Sequence, residues 1–358
     1  MHRSGLWCLR LGKVNRWVFF TSDFYLLILS LYKKYYVFKG NYALQMEVIK
    51  IFQIKGAFIM YTLSREKGII YDFNKNHKPV LHVPSGSRVE IETYDCFQDQ
   101  IQSEQTEITG INWNQVNPAT GPIYIEGAMP GDVLKVKIEK LEIGNQGVMC
   151  VGPNLGVLGH RIEKMESKII PIQNGKAIFN ELELPLNPMI GVIGVAPDGE
   201  GVSCGTPDRH GGNMDNKMVE EGATLYFPVF VEGALFATGD FHAAMGDGEI
   251  SVSGIEVPGK VTVTLEVLKN VNIANPMLEN ETVVTTIVSA KTLDEAAKIA
   301  TEQMVDHIVA KTNLSLSEAT MLMSAVGQVE ICQMVDPLIT ARFVVPKWLL
   351  EKLNVKLI

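Results

Sequence analysis

The chain has 358 residues, of which 46% are hydrophobic and 20% are charged; this balance excludes general disorder and allows two or three domains with a substantial core. The net charge is −8, but residues 1–59 carry nine Lys or Arg and two Asp or Glu, so the rest of the chain carries −15. An acidic body argues against a nucleic-acid partner, because phosphate binding requires clustered cations. Five scattered cysteines without a Cys-x-x-Cys pair are typical of a reducing compartment, so we expect a cytoplasmic protein.

An apolar stretch at residues 17–32 raises the question of a membrane segment or a signal sequence. A bilayer span takes about 20 mostly apolar residues, so the stretch is short, and Asp23 interrupts it. Residues 1–59 also differ in charge from the rest of the chain, whereas Met60 is followed by an ordinary soluble start. We therefore expect residues 1–59 to be an over-extended gene start or a disordered tail, and a membrane anchor is the alternative.

The part of the chain from residue 60 to residue 275 predicts β structure. Residues 88–93 and 133–141 alternate, or nearly alternate, apolar and polar side chains, as strands with one solvated face do. The run 189–195 is apolar throughout and predicts a strand buried on both faces. Because Gly/Pro turns separate these short strands, we expect a β-rich catalytic region of sandwich or barrel type, which two β subdomains could share.

Two glycine-punctuated clusters of polar residues lie at 207–215 and 239–249. They contain two of the seven histidines, His210 and His242, and several carboxylates. An apolar segment at residues 224–231 separates them and predicts a buried strand. We expect both clusters to be loops that meet at one end of a sheet, because functional residues are usually carried by loops on a rigid frame.

After Asn275-Pro276 the sequence acquires the period of helices. Capping-box patterns at Thr292 and Ser315 each predict the start of a helix, and Pro346 predicts the start of a third, shorter one. We expect residues 276–358 to form an α/β C-terminal subdomain. The predicted fold is therefore mainly β with a smaller α/β part, α+β overall.

Histidines with nearby carboxylates are the ingredients of a zinc or hard-metal site. Zinc catalysis takes about three protein ligands and an open position for water, so a larger pool can also supply a general base. The candidate residues are Asp95, His210, Asp215, His242, Asp247 and Glu249. Their spacing matches no compact metal motif. The alternative is that Asp and Gly crowd into tight turns for backbone reasons, and that His242 is a packed residue.

Other catalytic patterns are weaker in this sequence. Ser203-Cys204 lacks the Gly-x-Ser-x-Gly pattern of a nucleophile elbow. Cys204 near His210 could in principle pair a thiol nucleophile with a base. No Gly-rich phosphate cradle is followed by a lysine, which argues against a nucleotide-using enzyme.

Four Gly-rich stretches occur in order along the chain, at residues 120–134, 189–197, 210–215 and 239–249. Taken together, they resemble the acetamidase/formamidase family. The resemblance implies hydrolysis of small aliphatic amides to carboxylate and ammonia, β-rich domains with a smaller α/β part, an oligomer and a bound divalent metal, commonly zinc. One departure is Met245, where the family pattern leads us to expect Gln, and this difference affects the expected substrate range.

We therefore predict a metal-assisted amidase. The predicted ligands of the cation, zinc with calcium as the alternative, are Asp95, Asp215 and His242. Glu249 or Glu126 is the predicted general base, and His210 is a fourth ligand or the donor to the oxyanion.

The expected partners are a small amide substrate and further copies of the chain, with no nucleic acid, and no membrane unless residues 1–59 form an anchor. Two alternatives stay open. The first is a lactam-opening amidohydrolase of the same family. The second is a non-catalytic β protein that binds a small molecule.

Overall fold

The computed structural model describes residues 6–10, 16–21, 59–356 and 358. The predicted N-terminal extension, residues 1–59, thus lies mostly outside the described residues. In the part of the chain that is described, no helix is both long enough and apolar enough to cross a bilayer.

The strands are numbered along the chain. The first twelve are β1 (Leu6–Arg10), β2 (Arg16–Thr21), β3 (Ile59–Leu63), β4 (Ile69–Ile70), β5 (Asp72–Phe73), β6 (Leu81–Pro84), β7 (Ser87–Thr93), β8 (Ala119–Glu126), β9 (Val133–Ile143), β10 (Gln146–Val151), β11 (Glu166–Gln173) and β12 (Lys176–Phe179). The next twelve are β13 (Leu182–Pro185), β14 (Met189–Gly194), β15 (Val202–Ser203), β16 (Gly211–Asn213), β17 (Thr224–Pro228), β18 (Phe236–His242), β19 (Glu256–Val257), β20 (Gly259–Leu268), β21 (Met277–Glu279), β22 (Val283–Ala290), β23 (Gln328–Gln333) and β24 (Ile339–Pro346).

The described α-helices follow the strand-rich part. They are α1 (Leu293–Lys311), α2 (Leu316–Val326) and α3 (Lys347–Lys352). Single turns of 3₁₀ helix lie at Ile108–Gly110, Trp113–Gln115 and Gly159–Arg161.

Two large sheets hold nearly all of the described strands. The first runs in the order β1-β2-β3-β7-β20-β9-β17-β21-β22-β24-β23. The second runs β13-β12-β11-β10-β19-β18-β14-β16, and β8 joins it by pairing with β18, β4 and β6. Within the described residues neither sheet closes on itself, so the structure is open sheets rather than a barrel. The prediction of a mainly β fold with a smaller α/β part is confirmed.

The main hydrophobic core lies between these two sheets. It contains side chains from β7, β9, β17 and β20 of the first sheet and from β8, β14 and β18 of the second. β9 alternates buried and more exposed positions, as its sequence predicts, and its side chains Leu134, Val136 and Ile138 enter this core. β14, β17 and β18 are buried at every position and are therefore internal strands, although β18 also carries polar side chains.

A second core lies between the helices and the C-terminal strands of the first sheet. Met304 and Ile308 of α1 pack with Val288 of β22 and Val345 of β24. The predicted helix starts are confirmed, because the side chains of Thr292 and Ser315 accept hydrogen bonds at the N-termini of α1 and α2. Pro346 differs slightly from its prediction, since it is the N-cap of α3 and not its first helical residue.

Candidate active site

A buried acidic cluster surrounds His242, the last residue of β18. Its Nε2 lies 3.1 Å from Oε2 of Glu256, 3.4 Å from Oδ1 of Asp240 and 3.8 Å from Oδ1 of Asp215. Each of these side chains is at most 4% exposed. A histidine and three carboxylates therefore share a space from which water is nearly excluded.

Strand pairing explains how these residues meet. Asp240 and His242 are two positions apart on β18 and so point to the same face of the sheet. Glu256 of β19 is the register partner of His242. Asp215 follows β16, which pairs with β14, and β14 also pairs with β18. The prediction that cluster 239–249 is a loop is wrong for Asp240 and His242, because the sheet carries both.

Two glycines make room for the cluster. A Cβ atom on Gly191 of β14 would collide with Oδ1 of Asp215 and Oδ2 of Asp240. A Cβ atom on Gly254 would lie 2.6 Å from Nδ1 of His242, which is shorter than a normal contact. Both positions thus require glycine for close approach of the backbone to the polar side chains.

Glu249 completes the cluster from the loop after β18. Ligand atoms of Asp215, His242 and Glu249 all lie within 4.8 Å of one another, and so do those of Cys96, Asp240 and Glu256. The two groups are in contact, because His242 of the first lies against Asp240 and Glu256 of the second.

Many polar atoms of the cluster have no hydrogen-bond partner among the described residues. They include both carboxylate oxygens of Asp215, both ring nitrogens of His242 and Oε2 of Glu256. An unpaired buried polar group costs about 1–3 kcal/mol and a charged one more, so an arrangement of this kind is expected to have a bound partner. Imidazole and carboxylate donors suit a divalent cation of the zinc type, so the residues present fit a metal site.

The cluster shifts the pKa values of its own members. Burial, and then the charge of Asp240, raise the pKa of Asp215 to about 7, and burial raises the pKa of Glu256 to about 8. Burial and the neighbouring Asp215 raise the pKa of Glu249 well above its usual value. Burial would lower the pKa of His242, but the charges of Glu256 and Asp240 outweigh it and raise that pKa. Without a cation, the cluster therefore retains protons near neutral pH.

The predicted ligand Asp95 has a structural role that the sequence did not indicate. Its Oδ1 accepts hydrogen bonds from the amides of Phe97 at 2.9 Å and Asp99 at 2.7 Å, and so fixes the turn after β7. Burial raises its pKa to about 7. Asp95 belongs to neither group of ligand atoms, whereas its neighbour Cys96 does.

The structure brings neither His210 nor Glu126 into either group of ligand atoms. His210 is buried and packs edge-on against Phe73 with ring centroids 5.0 Å apart, and its Nε2 has no partner among the described residues. Burial lowers its pKa to about 4. Glu126 is exposed at the end of β8. β8 and β18 run antiparallel, and Ala119 of β8 is paired with Gly239 of β18. Glu126, at the far end of β8, therefore lies at the opposite end of this strand pair from His242.

Asp247 and Cys204 also fall outside the cluster. Asp247 forms an ion pair with Arg342, whose Nη2 lies 2.8 Å from Oδ2. Cys204 is fully buried, its Sγ faces the carbonyl of Ile70 at 3.7 Å, and burial raises its pKa well above the usual range. A thiol so held is mostly protonated, so the structure argues against Cys204 as a nucleophile.

Three residues of the cluster were not predicted from the sequence: Asp240, Glu256 and Cys96. Asp240 could have been found, because it stands two residues before His242, at the strand period. Glu256 and Cys96 join the cluster only through the pairing of β18 with β19 and the packing of the two sheets, which no local pattern reveals.

A mostly apolar cleft of about 670 Å³ lies against Glu249. Its apolar lining includes Met149, Phe179, Leu184, Met245 and Ile255. Glu249 is thus the member of the cluster that faces a space large enough for a small molecule.

Comparison with known proteins gives consistent results. A model of the acetamidase/formamidase family matches residues 66–203 and 198–346. The crystal structure of a protein of Thermoanaerobacter tengcongensis, described as a predicted acetamidase/formamidase, superposes on this chain with a TM-score of 0.81. The two sequences are 51% identical, and the match covers 83% of this chain and 99% of that one. The acetamidase of Bacillus halodurans is 46% identical, with a TM-score of 0.80 over 82% of this chain and 100% of its own.

A curated relative is more distant. The acetamidase of Mycolicibacterium smegmatis is 26% identical over 257 residues, which are 52% of this chain and 63% of that protein. The matched part of this chain thus spans less than two thirds of that relative's length.

Proposed function

This chain belongs to the acetamidase/formamidase family, and on that premise we propose that it hydrolyses short aliphatic amides to a carboxylate and ammonia with the help of a divalent cation. The observation that supports the proposal most strongly is the buried cluster of unpartnered polar atoms, which faces an apolar cleft at Glu249. Such a cleft with a few convergent polar groups of shifted pKa is the usual form of an active site.

Asp215 and His242 are the residues that would hold the cation, with zinc favoured over calcium because His242 supplies an imidazole nitrogen. A cation bound there supplies Lewis-acid polarisation of the amide carbonyl and lowers the pKa of water at the site. The prediction of Asp95 as a third ligand is not carried forward, because its Oδ1 is already bound to two backbone amides.

Glu249 is the residue that we assign to proton transfer. It borders the cleft and lies in the same group of ligand atoms as Asp215 and His242. Hydrolysis requires water to lose a proton as it adds to the carbonyl carbon, and the nitrogen to gain one as the C–N bond breaks. A carboxyl group whose pKa is raised well above its usual value can accept the first proton and return it in the second step.

The apolar lining of the cleft suits the alkyl part of the substrate. Its volume of about 670 Å³ exceeds the need of formamide or acetamide, which favours a second candidate function, the opening of a lactam ring. Met245 lines this cleft at the position where a polar Gln was expected, and so makes it more apolar. A cytoplasmic location and a homo-oligomeric state stay predictions.

Ammonia release from formamide, acetamide, propionamide and butyramide tests the proposal. A lactam is assayed in parallel, and mass spectrometry detects the opening of its ring. Glu249→Gln should lower kcat/KM by roughly 10²–10⁴-fold, which is the contribution of a positioned acid–base group. Glu126→Gln is the matched control, because Glu126 is exposed at the far end of β8, and it should keep the activity of the unchanged protein.

The possible outcomes separate the hypotheses. Lactam opening without ammonia release would favour the second candidate, and turnover of neither substrate class would favour a non-catalytic binding protein. Equal activity of the Glu249→Gln and Glu126→Gln variants would contradict the assignment of Glu249.

A further inference from the structure

We propose that a second divalent cation, of the zinc class, binds to Cys96, Asp240 and Glu256, next to the cation assigned to Asp215 and His242. The inference deepens the proposed function and relies on it for the first cation. It adds a thiolate-containing site that the sequence did not predict.

Three separate elements bring the ligand atoms of this second site together. Cys96 lies in the turn after β7, Asp240 on β18 and Glu256 on β19. Their ligand atoms lie within 4.8 Å of one another, and the side chains of all three residues are buried. The turn that carries Cys96 is fixed by the hydrogen bonds of Asp95, so the thiol is held in place and not on a loose loop.

An independent observation points to a ligand at this place. Oε2 of Glu256 is buried and has no hydrogen-bond partner among the described residues, and Glu256 is only 1% exposed. Its neighbour across the strand pair is His242, 3.1 Å away, which already belongs to the first site. A histidine that binds the first cation is neutral, so the oxygen of Glu256 then gains full charge compensation only from a further cation.

The charge of the cluster also requires more than one cation. Asp215, Asp240, Glu249 and Glu256 sum to −4 when they are ionised, and among the described residues the ion pairs of Asp215, Asp240 and Glu256 are all with His242. One divalent cation would leave about half of this charge buried without compensation, which is costly at low dielectric. Two divalent cations neutralise the four carboxylates and leave the thiolate of Cys96 as the remaining negative charge.

The donor set selects the kind of cation. A thiolate is a soft ligand that favours zinc or cobalt, whereas magnesium and calcium prefer oxygen donors alone. When the cation binds, the thiol of Cys96 loses its proton to solvent and the S–metal bond forms, so no change of oxidation state is involved.

Cobalt titration of the full chain, after removal of bound metal by a chelator, tests the proposal. We expect about two equivalents of Co²⁺ to bind, with a thiolate-to-cobalt charge-transfer absorption in the near ultraviolet. Cys96→Ser should abolish this band and lower the stoichiometry to about one. Cys150→Ser is the matched control, because Cys150 is a buried thiol in the same packed cluster but outside the group of ligand atoms, and it should keep both signals.

Binding of one equivalent without the near-ultraviolet band, or a band that survives in Cys96→Ser, would overturn the proposal. Should Cys96→Ser fail to fold by circular dichroism, X-ray absorption of the unchanged zinc protein decides the question. We expect a sulfur atom at about 2.3 Å from zinc. A coordination shell of nitrogen and oxygen alone would refute the second site. Neither readout involves turnover, so failure of the second site and failure of the amidase proposal are distinguishable.

Discussion

Three of the acidic residues of the cluster have unusual backbone conformations. Asp215, Asp240 and Glu249 have φ values of +41°, +56° and +45°, in the left-handed region that side chains other than those of Gly, Asn and Asp rarely adopt. Asp adopts this region more readily than most residues, so Glu249 is the strained member of the three, at a cost of about 1–3 kcal/mol. Because strain of this kind is common at functional sites, the backbone of Glu249 is consistent with the role proposed for its side chain.

His210 gives a pH prediction at the residue scale. Its pKa in the folded protein is lowered to about 4 from an ordinary value of 6.5, because burial disfavours the charged ring. The unfolded chain takes up the proton at a higher pH than the folded protein, so the stabilisation is fully present above pH 6.5 and is lost as pH falls toward 4. The loss is at most about 3 kcal/mol.

Urea unfolding at several pH values between 7 and 5 measures this effect. The free energy of unfolding should fall less steeply with decreasing pH in His210→Gln than in the unchanged protein. His160→Gln, which removes an exposed histidine, should leave the slope unchanged. The same slope in the unchanged protein and in His210→Gln would show that His210 is not held neutral by burial.

Residue type and clustering along the chain were enough to select part of the candidate site. Asp215, His242 and Glu249 stand in Gly-rich polar clusters, and the structure brings their ligand atoms together. Cys96 lies far before the first of these clusters in the chain, and Glu256 lies after the end of the second. They reach the site through sheet pairing and sheet packing, which residue-scale reasoning could not predict.

At the scale of elements, Arg342 of β24 links the C-terminal strands to the site. It is fully buried, and its Nη1 donates to Oδ1 of Asp247 at 3.1 Å and to Oδ1 of Asn216 at 2.9 Å. Asn216 follows Asp215 directly, and Asp247 precedes Glu249 by two positions. One side chain from the C-terminal part thus fixes the two loops that carry Asp215 and Glu249.

Replacement of this arginine should therefore affect both stability and catalysis. Arg342 also forms an ion pair with Glu330, whose Oε2 lies 2.7 Å from Nη2. Arg342→Met should lower the free energy of unfolding by about 3 kcal/mol, near the lower end of the range for a broken buried ion pair, because the carboxylates of Asp247 and Glu330 are partly exposed. It should also lower kcat/KM for acetamide at least tenfold, since both loops lose their anchor. Urea unfolding and ammonia release measure the two effects.

Lys217 also pairs with the carboxylate of Asp247, so its replacement is the control for Arg342→Met. Its Nζ lies 2.8 Å from Oδ2 of Asp247, but its side chain is 40% exposed. Lys217→Met should cost less than about 1 kcal/mol, as exposed ion pairs do, and should leave ammonia release nearly unchanged. Equal losses in the Lys217→Met and Arg342→Met variants would contradict the anchoring role of Arg342.

Local signals predicted most of the individual elements. The capping box of Ser315 and Glu318 is present at the start of α2, where Glu318 also returns a hydrogen bond from its side chain to the amide of Ser315. The buried run at 189–195 is β14, apart from its last residue. The predicted loop at residues 239–249 overlaps the end of β18, where burial and pairing on both sides hold residues 239–242 as a strand.

At the scale of the whole molecule, the fold class was predictable and the topology was not. Strand periodicity followed by helix caps is enough to indicate a mainly β fold with a smaller α/β part. The first sheet nevertheless joins β7, β20 and β9 to the strands after residue 276, and it contains a parallel pair between β3 and β7. Such long-range pairings depend on the whole set of strands and leave no local pattern.

The whole-molecule claim is that a cation held in the buried cluster makes this chain an amidase. The most direct measurement is ammonia release from acetamide before and after exhaustive chelation, with the residual metal content determined on the same sample. Activity should fall in proportion to the metal that is removed and return when Zn²⁺ is added. Undiminished ammonia release by protein whose metal content is far below its own molar concentration would contradict the claim.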